Sequence, residues 1–162
     1  MTAGDLLRVS FFEWCMATPL AVAINRSSWA FAAIETVHII ALTVLLGTTL
    51  AVDLRLLGIG MRQQPAARLA AEFAPWTMTA LLVMLCTGVP MFMSQAVRYS
   101  HSVPFFYKMA LLLVASTQHF TIHRKAAAAG AIEDSWFDRL AGCLSLICWF
   151  GVALAGRSIA FI

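Results

Sequence analysis

The sequence predicts an all-α integral membrane protein: a four-transmembrane up-down helix bundle with a short N-terminal interfacial helix. Hydrophobic residues make up 61% of the 162 residues and charged residues 12%, whereas a soluble domain carries roughly 25% charged residues. Several apolar runs reach the roughly 20 residues that a helix needs to cross a bilayer. Short loops join the runs, which favours antiparallel neighbours within a single membrane domain over 1–162.

The first predicted span, at 29–52, is a nearly unbroken apolar run. Within it Glu35 and His38 are three residues apart, so they share one face of the helix. Ionisable groups at membrane depth are costly and usually face the bundle interior, where they indicate a functional site. The rest of the chain is therefore expected to enclose this face.

Three further apolar runs predict the other spans, at 76–95, 104–123 and 136–156. The second span is expected to start after Pro75 and to be kinked at Pro90, because an internal proline removes a backbone donor. Before it, Pro65 suits the first turn of a helix and predicts a short surface helix over 65–73.

The N-terminal segment predicts a helix that lies at the membrane interface over about 4–18, opened by a capping box at Thr2–Asp5. Its apolar residues recur at helical spacing, and Arg8 and Glu13 lie off that face. A basic region at the start is missing, so no cleavable signal peptide is predicted.

The distribution of lysine and arginine predicts a bacterial inner-membrane protein with both termini outside. The loops after the first and third spans share one side of the membrane and hold most of the cations, and cytoplasmic loops are the ones that carry such an excess. The cations on that side are Arg55, Arg62, Arg68, Arg124, Lys125 and Arg139. The net charge of +3 forms no basic stripe with interleaved aromatic residues, so lipid and not nucleic acid is the expected partner.

Two histidines, His38 and His119, lie well inside apolar runs of different predicted spans. Imidazoles from two helices of a bundle can clamp haem b, whose macrocycle needs an apolar slot and whose iron takes imidazole ligands. We therefore predict haem b with these two residues as the iron ligands. The helix rise places His38 about 13 Å and His119 about 22 Å below the outer ends of their spans.

Other residues are alternatives for the second iron ligand. His101 and His123 lie at the predicted membrane edges. Met84 and Cys86 on the second span lie closer to the depth of His38, and sulfur is also a haem ligand.

The haem propionates require cations, and three lie toward the outer ends of the predicted spans. Lys108, Arg157 and Arg98 are expected to pair with the propionates, with a quinone or with Glu35. Snorkelling of Lys108 and Arg157 to the interface is the structural alternative.

Copper is the rival cofactor. The second span contains four of the eight methionines, and thioether with imidazole can hold Cu(I); these are Met78, Met84, Met91 and Met93. The four cysteines form no CxxC pair, so no disulfide or metal role is predicted for them.

Two segments resemble known families. The run from Val37 through Gly47 to Gly58, with its VHII and DLRLLG motifs, resembles the first helix of small four-helix membrane proteins around the HemJ-type protoporphyrinogen oxidases and the CopD-type copper-resistance proteins. Phe106 to His119, where a lysine precedes a leucine-rich run, resembles a later helix of that family. Arg55 is followed by Leu-Leu-Gly, which matches relatives with a DLRLLG ending better than either named group. The resemblance implies a haem-b protein, with His38 as an axial ligand and Lys108 as a functional residue near the haem.

The leading functional prediction is a b-type cytochrome that passes electrons between a quinone or a partner redox protein and the haem. Its short loops leave little soluble surface, so we expect a membrane oxidoreductase subunit in a homo- or hetero-oligomer. Two alternatives stay open. One is a haem-dependent oxidase of porphyrinogen or a similar reductant, and the other is a copper permease or membrane anchor subunit without haem.

Overall fold

The computed structural model describes the backbone of residues 11–60, 63–129 and 136–159, and the side chains of these residues except 122–129. The described chain is helical between short turns and has no strand. Its helices are α1 over 11–17, α2 Pro19–Arg26, α3 Ala30–Leu56, α4 Ala66–Ser94, α5 Ala96–Ser100, α6 Val103–Ala129 and α7 Trp136–Ile159.

Three helices in the described ranges, α3, α4 and α7, are long and apolar enough to cross a membrane. This finding confirms the all-helical class with multiple candidate spans. The helix α6, at 27 residues, covers the predicted span at 104–123. The four-span bundle stays a prediction.

The long helices pack around a common core. α3 lies between α4 and α7, and α6 packs mainly against α7 and less against α4. Near the middle of the helices, Leu45, Met84, Ala115 and Trp149 form the centre of a buried apolar cluster. Each of the four long helices contributes one of these residues, so the cluster ties them together at one level.

The structure differs from the expected course of the second span. α4 begins at Ala66 and continues without a break through Pro75 and Pro90 to Ser94. The predicted surface helix over 65–73 is therefore the first part of α4. An internal proline costs a helix about 3 kcal/mol. Here Leu69 is buried ahead of Pro75, so packing against the bundle holds the first turns in helical conformation.

The described part of the predicted N-terminal helix is α1, over 11–17. The capping box and residues 4–10 of the predicted interfacial helix lie outside the described residues. Within the described part, Thr18 separates α1 from α2: its hydroxyl donates to the Cys15 carbonyl at 2.7 Å and accepts from the Ala21 N–H at 3.4 Å. Phe11 and Trp14 on α1 are exposed, as expected of a helix at an interface.

α7 packs tightly against the backbone of α3 at Gly142, and the substitution of this glycine gives the first prediction. A Cβ at this position would lie 3.0 Å from the Asp53 carbonyl oxygen and 3.2 Å from the Leu56 Cβ. Overpacking against backbone costs about 1–3 kcal/mol. We therefore expect Gly142→Ala to lower the free energy of unfolding by at least about 1 kcal/mol and the thermal midpoint in detergent by about 2–4 °C.

The matched control is Gly151→Ala on the same helix. Its Cβ would meet the Leu111 Cδ1 at 2.9 Å, but that atom ends a flexible side chain that can rotate away. Replacing glycine by alanine inside a helix gains about 0.5–1 kcal/mol of helix propensity. We therefore expect Gly151→Ala to raise the free energy of unfolding. Equal loss of stability in both variants would contradict the assignment of Gly142 as the tight contact.

Candidate cofactor cavity

One cavity of about 590 Å³ lies where α3 and α6 begin and where α4 and α7 end. We call it the His38 cavity. Five of the six residues predicted for the site line it, namely Glu35, His38, Arg98, Lys108 and Arg157. Most of its remaining lining residues are apolar. The site therefore combines an apolar interior with a cluster of charges from four helices.

The orientation and tautomer of His38 are fixed by Thr87 on α4. The His38 Nδ1 lies 2.8 Å from the Thr87 Oγ1, and that oxygen lies 2.7 Å from the Val83 carbonyl oxygen. A threonine has a single hydroxyl proton, and the carbonyl can only accept it. The Thr87 hydroxyl therefore donates to Val83 and accepts from the Nδ1–H of His38. This leaves the lone pair on Nε2, the nitrogen that a metal would take.

Gly88 on α4 lies beside the His38 imidazole. It lies two residues before Pro90 on α4. A Cβ on Gly88 would lie 3.4 Å from the His38 Cε1 and 3.9 Å from its Nδ1. A methyl group at this position would therefore be in van der Waals contact with the ring, so α4 and the imidazole lie close together here.

Lys108 crosses the cavity beside α7. A Cβ at Gly156 would lie 3.5 Å from the lysine Nζ and 3.7 Å from its Cδ, so the missing side chain makes room for the lysine stem. The lysine is largely buried. Among the described residues no carboxylate lies within ion-pair distance of its ammonium group, and Glu35 lines the same cavity without contacting it at that distance. A buried ammonium without a partner is a strong attractor for an anionic ligand.

A stack of aromatic rings forms one wall of the cavity. Tyr99 lies nearly parallel to Phe105, with ring centroids 5.2 Å apart and an interplanar angle of 5°. Phe92 stacks on Phe105 at 5.5 Å and 15°. Offset stacking of this kind offers a flat face to a flat ligand. Burial raises the pKa of Tyr99 above its ordinary value, and the nearby Arg98 lowers it in part, so the phenol keeps its proton and can donate a hydrogen bond.

The sixth predicted residue, His119, does not line the cavity. It follows Lys108 on α6, and the helix rise separates the two by about 16 Å along the axis. Its neighbour Gln118 donates to the Ala141 carbonyl near the start of α7 at 2.6 Å, which is the opposite end of α7 from the cavity. His119 contacts Phe120 there. The cavity thus does not bring His38 and His119 together.

The alternative second ligands are also dispersed. Met84 is buried in the apolar core and Cys86 is exposed. His101 is exposed after α5 and does not line the cavity, and the side chain of His123 lies outside the described residues. Met91 lines the cavity, whereas the sequence indicated it only as a copper ligand of the rival site.

A family model described as a family of unknown function, DUF6644, matches residues 11–162. No curated protein and no solved structure matches the chain.

Proposed function

The chain belongs to the DUF6644 family, and we propose from the geometry of the His38 cavity that it binds haem b in the membrane. In this proposal it passes electrons between a membrane quinone or a redox partner protein and the haem. The observation that carries the proposal is the hydrogen bond from His38 to Thr87. Metal-ligating histidines almost always donate their other ring N–H in this way, which fixes the tautomer and orients the ring.

The shape of the cavity supports a planar macrocycle. Its volume of about 590 Å³ falls in the range of about 300–1,000 Å³ that small-molecule sites occupy. The stacked rings of Phe92, Tyr99 and Phe105 provide a flat apolar wall. When bound, haem b supplies one-electron chemistry through its iron.

The charges of the cavity support a ligand with carboxylates. Lys108, Arg98 and Arg157 line the same space, and together they can bind two propionates. Lys108 lies deepest of the three, since both arginines are exposed. Glu35 lines the same space, and its carboxylate lowers the positive charge of the site by one.

The second iron ligand is assigned differently from the sequence prediction. The pairing of His119 with His38 as iron ligands stays a prediction, and the cavity does not support it because His119 does not line it. Met91 lines the cavity with His38, and a Met/His pair is a known haem ligation that raises the reduction potential. We therefore propose Met91 as the second ligand.

The proposal includes the membrane arrangement that the sequence predicted. α6 would be the third of four spans of an up-down bundle in a bacterial inner membrane, with both termini and the His38 cavity on the outer side. A homo- or hetero-oligomer would supply the partner surface that the short loops lack.

The proposal is tested by the iron and haem content of the purified protein. We expect about one haem per chain in a pyridine haemochrome assay and a sharp α-band on reduction. A native, colourless preparation, or one that contains copper without iron, would contradict it.

Thr87→Val removes the acceptor of the His38 hydrogen bond while it conserves the shape of the side chain. Loss of such a partner typically weakens metal affinity 10–100-fold, and we expect haem affinity to fall by that factor. Haem titration of the apoprotein measures the change.

Thr87→Ser is the matched control, because it keeps the hydroxyl that accepts from Nδ1. It should bind haem within about threefold of the wild type. If the valine variant binds haem as tightly as the serine variant, His38 is not oriented by this hydrogen bond.

A further inference from the structure

A carboxyl group is buried at the opposite end of the bundle from the His38 cavity. Asp53 lies in the last turn of α3 and is 3% exposed. It follows His38 by 15 residues, which is about 22 Å along the helix. No step of the proposed function uses this residue, so its chemistry does not depend on haem.

α7 covers the Asp53 carboxyl. The Ser145 hydroxyl on α7 donates to it, and Ser145 is itself buried. The carboxyl Oδ2 is fully buried and has no hydrogen-bond partner within the described chain. A Cβ at Gly142 would lie 3.0 Å from the Asp53 carbonyl oxygen, so the two helices are in close contact here. Oδ2 therefore offers no surface to which a molecule or a metal ion could bind.

No cation among the described residues lies within ion-pair distance of the Asp53 carboxyl. Arg55, two residues further on α3, donates from its Nε to the Gln64 carbonyl at 2.6 Å. On α4, Arg68 pairs with Glu72 at 3.0 Å on an exposed face. The other ionisable residues that the described parts of α6 and α7 bring to this end are His119, Asp138 and Arg139. Burial and the Ser145 hydroxyl act on the carboxyl, and these charges do not. An ionised Asp53 would therefore be a buried charge without a counter-ion.

A second buried acceptor lies beside the same turn of α7. Gln118 on α6 donates from its Nε2 to the Ala141 carbonyl at 2.6 Å, and its Oε1 is buried without a partner in the described ranges. Ala141 and Ser145 are four residues apart, so they share a face of α7. Asp53 and Gln118 thus bring two acceptors that lack a donor to this turn. A proton on Asp53 would add a donor and remove a charge.

The neutral acid is the state that these surroundings favour. A buried carboxylate without a counter-ion is so costly that such a group takes up a proton instead. We propose that Asp53 binds a proton in the folded bundle at neutral pH, and that its ionisation at higher pH weakens the packing of α7 against α3. This inference goes beyond the proposed function and holds with or without haem.

The bound proton makes the stability of the bundle depend on pH. An unfolded aspartate is ionised above about pH 4, so above that pH the folded protein holds one proton more than the unfolded chain. The folding equilibrium then weakens by about tenfold for each unit by which the pH rises, until Asp53 ionises in the folded state. In a chain of this size a tenfold change lowers the thermal midpoint by about 3–5 °C.

The first experiment measures the thermal midpoint of the purified full chain in detergent between about pH 5 and pH 8. Asp53→Asn keeps the shape of the side chain and is neutral at every pH. Relative to this variant, we expect the wild type to lose about 3–5 °C for each unit of rising pH. Glu72→Gln is the matched control, because it neutralises an exposed carboxylate at the same end of the bundle. Its profile should follow the wild type. A wild-type profile parallel to that of Asp53→Asn would overturn the inference.

Infrared spectroscopy detects the proton itself. At neutral pH the wild type and Glu72→Gln should show the C=O stretch of a protonated carboxylic acid, and Asp53→Asn should lack it. Ser145→Ala removes the hydroxyl that donates to the carboxyl, so the same band should move to higher frequency. That variant tests the assignment even if Asp53→Asn does not fold. The absence of an acid band in the wild type, or a band that both variants leave unchanged, would also overturn the inference.

Discussion

His38→Ala is expected to lower the haem content of the purified protein at least tenfold. The substitution removes the one imidazole that lines the cavity among the described residues, and its tautomer leaves the Nε2 lone pair free. Thr87, its partner, keeps its bond to the Val83 carbonyl, so the helices should not rearrange. The α-band of the reduced protein and the iron content per chain measure the effect.

His119→Ala is the matched comparison for that variant. His119 lies about 16 Å along α6 from Lys108 and does not line the cavity, so its removal should leave haem content within about twofold of the wild type. Loss of haem in His119→Ala as well would restore the pair of histidines that the sequence predicted. Full haem retention in His38→Ala would refute the assignment of the cavity.

Lys108→Met should change ligand affinity and stability in opposite directions. The ammonium group is largely buried and has no carboxylate at ion-pair distance among the described residues. Its replacement by an apolar side chain of similar length removes a costly desolvated charge. We expect the apoprotein to gain about 1 kcal/mol of stability or more, which raises its thermal midpoint by about 2–4 °C.

The same variant should bind haem about 10-fold to 100-fold more weakly, because a charge-assisted hydrogen bond to a propionate is lost. Thermal scans of the apoprotein and haem titrations measure the two effects separately. Lys108→Arg is the control that keeps the charge. A variant that loses stability and keeps its haem affinity would show that the lysine is structural.

The sequence identified the charged residues of the cavity because ionisable groups are conspicuous in apolar runs. Glu35, His38 and Lys108 each lie within a long helix. Because α3 and α6 run in the same direction, the first turns of the two helices lie at the same end of the bundle. Arg98 and Arg157 follow from the same topology, since they lie in a connection and at a helix end on that side.

The partners of these residues could not be predicted in the same way. Thr87 and Gly88 are ordinary residues of an apolar helix, and nothing in their spacing says which of them faces His38. A helix that is apolar on every side, such as α3, carries no period from which its rotation can be read. The aromatic wall of Phe92, Tyr99 and Phe105 was missed for the same reason, as it forms only when α4, α5 and α6 meet.

The position of His119 could not be placed relative to His38 from the helix rise alone. The helix rise predicted depths of about 13 and 22 Å for the two histidines, and the chemistry of haem favoured their pairing. In the structure, the turn that carries His119 packs against the start of α7, and the mismatch in depth separates the two residues.

The length of α4 has a consequence for the membrane that surrounds it. A helix of 29 residues is about 43 Å long, whereas the hydrocarbon layer is only about 30 Å thick. If the end of α4 near Ser94 marks one boundary of that layer, Pro75 falls close to the other. The carbonyl of Ala71, which an N–H at position 75 would otherwise satisfy, then meets headgroups and water, and the exposed Arg68–Glu72 ion pair stands in the aqueous phase beyond it.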